Sequence, residues 1–98
     1  MSKKKVLVTG SSRGIGNSIL EFFLNDEFIP IGTATSSNGI ETIKKKFSDN
    51  NISGHALELD LNNSNSIENF FKNMKEEGLS PDILVNNAGI ARDNLMLR

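Results

Sequence analysis

A continuous apolar run, Val6-Leu7-Val8, breaks at a cluster of glycines, Gly10, Gly14 and Gly16, and apolar residues at helical spacing follow at once. Few folds accommodate that order. A run without polar alternation marks a strand buried on both faces. Glycines let the backbone turn sharply and come close to a ligand. The first amides of the helix point unpaired out of its end, which suits an anion. A strand that turns through glycines into a helix is a cradle for a pyrophosphate.

The rest of the chain repeats the alternation. Lys5 to Thr9 is the first strand, and Ile15, Ile19, Phe22 and Phe23 mark one stripe of a helix running to about Asn25. Ile29 to Thr35 is a second strand, with Pro30 tolerable at its start but not within a ladder. Ile40, Ile43 and Phe47 give a second helical stripe that starts near Asn38 or Gly39. Gly54 to Leu61 is the third strand. Asn65 followed by Glu68 is a variant capping box for a third helix, built on Ile67, Phe70, Phe71 and Met74 and closed near Gly78. Pro81 precedes the fourth strand, Asp82 to Asn86. This pattern predicts an α/β fold, a Rossmann-type doubly wound parallel sheet in the order 3-2-1-4. The first and fourth strands then meet where the strand order reverses, and their loops share the ligand-binding end of the sheet.

The chain has 98 residues, the size of one domain, with 37% hydrophobic and 23% charged residues, as in soluble globular proteins. No apolar stretch approaches the roughly 20 residues that cross a bilayer. The basic start, Met1-Ser2-Lys3-Lys4-Lys5, lacks the apolar run of a secretory signal, so a cytoplasmic location is the expectation. Without cysteine there is no disulfide or thiolate metal site, and a single histidine makes a His-based site improbable; no metal is expected. His55 reads as structural or exposed. A net charge of -1 argues against a broad nucleic-acid surface. Lys44-Lys45-Lys46 reads as a solvated helix face, and the phenylalanines as core. Tyrosine and tryptophan are both absent.

The glycine spacing is G-x-x-x-G-x-G, neither the commoner dinucleotide fingerprint nor a P-loop, since no Lys-Ser/Thr pair follows. Together, Thr9-Gly10-Ser11-Ser12-Arg13-Gly14-Ile15-Gly16 and Asn86-Asn87-Ala88-Gly89 resemble the paired signatures of the short-chain dehydrogenase/reductase family. With Gly32-Thr33-Ala34-Thr35-Ser36 and the segment from Ile90 to Arg98, the likeness narrows. It points to the branch that reduces 3-oxoacyl thioesters on acyl carrier protein in bacterial fatty acid synthesis. Ala91 stands where that branch more often has Thr. The resemblance covers essentially the whole chain, which matches only the front portion of a family member.

That resemblance implies a dinucleotide pyrophosphate over Gly10, Ser12, Arg13, Gly14 and Gly16, with Ile15 beside the cofactor. It implies Asp60 on the adenine amino group with Leu61 next to it, Asn86 supporting the sheet and a cofactor ribose, and Ala88 and Gly89 close to the adenosine. A turn or helix-start carboxylate is the alternative for Asp60, and a bland strand-end turn the alternative for residues 86–89. Cofactor choice has a physical basis. An NAD-selective sheet usually carries Asp or Glu at the end of strand two. Here that end is Ala34-Thr35-Ser36, with no carboxylate to repel a 2′-phosphate, and Arg13 offers a guanidinium that can bind one twice. The expected cofactor is NADP (NADPH), with Arg13 and Thr35 as discriminators; an ordinary surface arginine is the alternative.

The family's reaction is carbonyl reduction by hydride transfer. Its proton donor is a tyrosine, supported by a lysine four residues on, a serine and an asparagine. The family places these beyond Arg98, and this chain has no tyrosine. Residues 1–98 are therefore expected to be the N-terminal dinucleotide-binding part of a single Rossmann domain, without the catalytic half and inactive alone. The alternatives are an inactive NADP-binding module and a non-functional gene fragment. The resemblance implies a carrier-bound acyl substrate and a homotetramer for a complete enzyme, with no nucleic-acid or membrane partner. A fourth strand without a fifth beside it is expected to leave an apolar sheet edge.

Overall fold

The structure, a computed structural model, describes residues 3–87. Seven elements alternate along it: β1 (Lys4–Val8), α1 (Gly14–Phe22), β2 (Phe28–Ala34), α2 (Ser37–Asp49), β3 (His55–Glu58), α3 (Ser64–Glu76) and β4 (Ile83–Val85). The strands form one parallel sheet in the order β3-β2-β1-β4. The register runs Val6↔Pro30, Leu7↔Ile31 and Val8↔Gly32 on one side of β1, and Val6↔Ile83 to Val8↔Val85 on the other.

Side-chain alternation along the strands divides the core in two. Val6, Val8 and Ala34 face α1 and α2, where they pack with Leu20, Ile43 and Phe47. Leu7 and Ile31 face the opposite way and pack with Leu59, Phe70, Met74 and Leu79 around α3. Helices on both faces follow from right-handed crossovers: β1 to β2 to β3 steps one way across the sheet, and β3 to β4 steps back.

Several details depart from the sequence reading, each for a local reason. Pro30 sits inside β2, not at its start. It lies one residue before β2 meets β3 at Ile31↔His55, so on that side there is no ladder bond to lose. The third strand is shorter than Gly54 to Leu61. β3 ends at Glu58, with one further bond from Leu59 N to Ala34 O (2.9 Å). The cap of α3 is Asn63 rather than Asn65: its side chain accepts from the Ser66 amide at 3.1 Å. The box at Asn65 and Glu68 is not used, because the chain has already turned into the helix at Ser64.

α1 closes at Phe22, and its stripe is rotated from the one the spacing suggested. Leu20 is its buried side chain, whereas Ile15 and Phe22 are 69% and 74% exposed. These two, seven residues apart, lie along the α1 edge beside β4. Phe71 is also exposed, so the phenylalanines are not all core. Lys46 does not belong to a solvated run either. Its side chain is largely covered and its ammonium meets Glu21 Oε2 on α1 at 2.6 Å, while Lys45 pairs outward with Asp49. Among the described residues β4 is an outer strand, with Ile83 and Leu84 exposed, as expected.

Candidate functional site: a glycine turn at the carboxyl end of the sheet

The turn after β1 is fastened on three sides. Towards β4, Thr9 N donates to Val85 O (3.1 Å), Thr9 Oγ1 lies 3.3 Å from Asn86 Oδ1, and Asn87 Nδ2 donates to Gly10 O (3.1 Å). Towards β2, Gly10 N donates to Thr33 Oγ1 (3.0 Å), Ser11 N to Thr33 O (2.9 Å), and Thr33 N to Ser11 Oγ (3.2 Å). Towards α1, Asn17 Nδ2 donates to Ser11 O (3.1 Å). Gly10 has φ +61° and Gly14 φ +64°, the region where a side chain strains the backbone. Gly16 has a different reason. A Cβ there would overlap the Gly10 carbonyl and lie 2.6 Å from Asn87 Nδ2, so only glycine lets α1 rest on the turn.

The three helix starts differ in one respect. α2 is capped by Ser36, whose hydroxyl accepts from Gly39 N (3.2 Å), and α3 by Asn63. At α1 the cap position is Arg13, extended and with no side-chain cap bond. The first amides of α1 are thus not satisfied by a capping side chain, and they open at the carboxyl end of the sheet next to β4.

Beside that opening lies a polar cavity of about 320 Å³, lined by Ser12 and Arg13 on one wall and Thr35, Ser36, Asn38, Gly39 and Thr42 on the other. No carboxylate lines it. The two discriminators expected from sequence, Arg13 and Thr35, are therefore brought together. Gly39 makes the approach possible: a Cβ there would lie 2.6 Å from Ala34 Cβ and 3.2 Å from Ser12 Cβ and Oγ.

On the far side, Asp60 sits in the turn after β3. Its Oδ1 accepts from Asn62 N (3.0 Å) and its own amide bonds to Ser66 Oγ (2.9 Å), which is the turn role considered as the alternative. Leu61 is half-buried against the α3-side core. Asn86 follows β4, whose last residue is Val85 rather than Asn86 as the sequence suggested, and lies beside Thr9. Ala88 and Gly89 lie outside the described residues. Sequence reasoning missed Asn87, Ser11, Thr33 and Gly39. All act through partners far along the chain; only the adjacency of both signature loops to strand ends pointed to them.

An apolar groove runs along α1 between Gly14, Ile15, Ser18, Ile19, Phe22, Phe23 and Val85. His55 is partly exposed, 3.6 Å from Glu77 and remote from the turn. Among the described residues no acidic, His or Cys cluster is arranged for a metal, and no helix is long and apolar enough to cross a membrane.

The strand order and the glycine turn at its reversal define a Rossmann-like α/β protein. The chain belongs to the short chain dehydrogenase family, whose profile matches residues 4–98; this is a family of oxidoreductases. It is similar to the 3-oxoacyl-[acyl-carrier-protein] reductase of Haemophilus influenzae, 45% identical over 98 residues, covering 100% of this chain and 39% of that protein. The proteins of the same name from Vibrio cholerae and Escherichia coli are 46% and 45% identical over 95 residues, 97% of this chain and 38% of theirs. The chain thus spans 38–39% of the length of these relatives.

Proposed function

We propose that this chain is the NADPH-holding part of a reductase for 3-oxoacyl thioesters on acyl carrier protein, inactive without the remainder of such an enzyme. The observation that carries the cofactor assignment is the carboxylate-free cavity shared by Ser12-Arg13 and Thr35-Ser36, beside the uncapped start of α1. Both features suit an anion. The helix start suits the pyrophosphate, and the guanidinium with its neighbouring hydroxyls suits a 2′-phosphate. The substrate assignment rests on the likeness to the reductases named above.

In this reading the residues present fit the dinucleotide as follows. Gly10, Ser12, Gly14 and Gly16 shape the turn that the pyrophosphate crosses, and Ile15, exposed at the helix start, lies along the cofactor. Arg13 and Thr35 hold the 2′-phosphate. Asp60 and Leu61 flank the adenine, with Asp60 keeping one oxygen on its own turn. Asn86 braces the first and fourth strands through Thr9, and Ala88 and Gly89 give the adenosine room. NADPH supplies the hydride when bound. The resemblance implies a tyrosine as proton donor, and residues 1–98 contain none.

A homotetramer, a cytoplasmic location and the absence of nucleic-acid or membrane partners belong to the same proposal. Titrating the intact protein with NADPH and NADH tests the cofactor assignment: tighter binding of NADPH is expected, and equal affinity would overturn it. Reduction of a 3-oxoacyl thioester on acyl carrier protein by a complete enzyme that contains this chain tests the substrate assignment: turnover is expected, and none would overturn it.

A further inference from the structure

We propose that Ser11 and Thr33 are a positioning pair that fixes the width of the polar cavity and thereby the preference for a 2′-phosphate. The inference rests on the cofactor reading above. Neither side chain can touch a ligand: Ser11 is 0% and Thr33 1% exposed. A buried polar pair is retained only if its hydrogen bonds are made, and here both hydroxyls accept from backbone amides, Ser11 Oγ from that of Thr33 and Thr33 Oγ1 from that of Gly10. Thr33 N donates to Ser11 Oγ (3.2 Å), Ser11 N donates to Thr33 O (2.9 Å), and Gly10 N donates to Thr33 Oγ1 (3.0 Å).

The location of this clasp gives it leverage. Ser12 and Arg13 follow Ser11 directly and form one wall of the cavity. Thr35 and Ser36 follow Thr33 by two and three residues and begin the other wall. The clasp therefore ties the two walls together just behind the cavity. Two glycines permit the close approach. A Cβ at Gly32 would lie 2.6 Å from Ser11 Oγ, and one at Gly39 would press on Ala34 and Ser12. Between those two points of closure, the separation of the Ser12-Arg13 backbone from Thr35 and Ser36 is set by the fold rather than by the ligand. Bidentate recognition of a phosphate depends on such preset spacing.

Thr33→Val keeps the shape of the side chain and removes only the acceptor of Gly10 N, leaving a partly buried amide without a partner. The loop is then free to shift to satisfy it, and the walls to separate. In the intact protein, the ratio of NADH to NADPH dissociation constants, measured by fluorescence or calorimetric titration, is expected to fall about five- to tenfold in Thr33→Val. Thr33→Ser, which restores the hydroxyl, returns it. A clasp that only stabilises the fold would lower the melting temperature and weaken both nucleotides equally; an unchanged ratio with either result overturns the inference while leaving the cofactor assignment standing. A wild-type protein without preference for NADPH overturns the assignment itself and the inference with it. Should Thr33→Val fail to fold, Ser11→Ala, which removes the acceptor of Thr33 N, decides by the same ratio.

Discussion

The start of α1 and the starts of α2 and α3 obey the same helix physics with opposite outcomes. Ser36 and Asn63 each turn a side-chain oxygen back onto a free amide, as stabilised helices ordinarily do. At α1 the corresponding residue, Arg13, turns none. Its side chain is instead part of the cavity wall, and the turn before it is fixed by other means: the Ser11 and Thr33 clasp, Asn17, and Asn87 reaching across from the end of β4. Two helix starts are finished by local capping, and the third is held from outside with its amides left to face the crevice. In the proposed reading, those amides meet the dinucleotide pyrophosphate.

The contrast can be broken most sharply at Gly16. Gly16→Val forces side-chain atoms into the Gly10 carbonyl, and we expect a loss of about 3 kcal/mol or more, read as the midpoint of urea unfolding. Stability equal to wild type would mean that α1 does not rest on the turn as described. Next in size is Arg13→Ala. Losing charge-assisted bonds to a 2′-phosphate should weaken NADPH about tenfold to a hundredfold in a binding titration, with NADH little affected. Because Arg13 makes no side-chain cap, its melting temperature should hardly move, and a clear drop would blur the distinction between the three helices.

A smaller effect is expected at the capped starts. Asn63→Ala and Ser36→Ala should each cost about 1 kcal/mol in thermal or chemical unfolding. For Asn63→Ala, nucleotide affinity should stay as it was; a marked loss there would tie the α3 start to the site as well. The smallest effect belongs to the ion pair between α1 and α2. Glu21 is mostly exposed, so Glu21→Gln should change stability by about 0.5 kcal/mol or less, and the change should shrink in high salt.

How much of this was legible in advance differs by scale. The parallel order 3-2-1-4 and the meeting of both signature loops at one end of the sheet followed from the alternation of strand and helix patterns and from crossover handedness. The pairing of Arg13 with Thr35 across one cavity followed from the same topology. The exposure of Ile15 and Phe22 did not, because periodicity gives the spacing of a stripe but not which neighbour lies opposite it. The choice of Asn63 over Asn65 was a contest between adjacent cap residues, decided by where the turn at Asp60 releases the chain.

The sequence by itself determined the element types, their order and the position of the glycine turn, since these depend on residues within a few positions of one another. Only the tertiary structure decided that Asn87 holds Gly10, that Thr33 clasps Ser11, and that Gly16 and Gly39 are glycines for the sake of packing. Those contacts join residues whose distance apart is fixed by the parallel register of β1 with β2 and β4, and no local pattern carries that register.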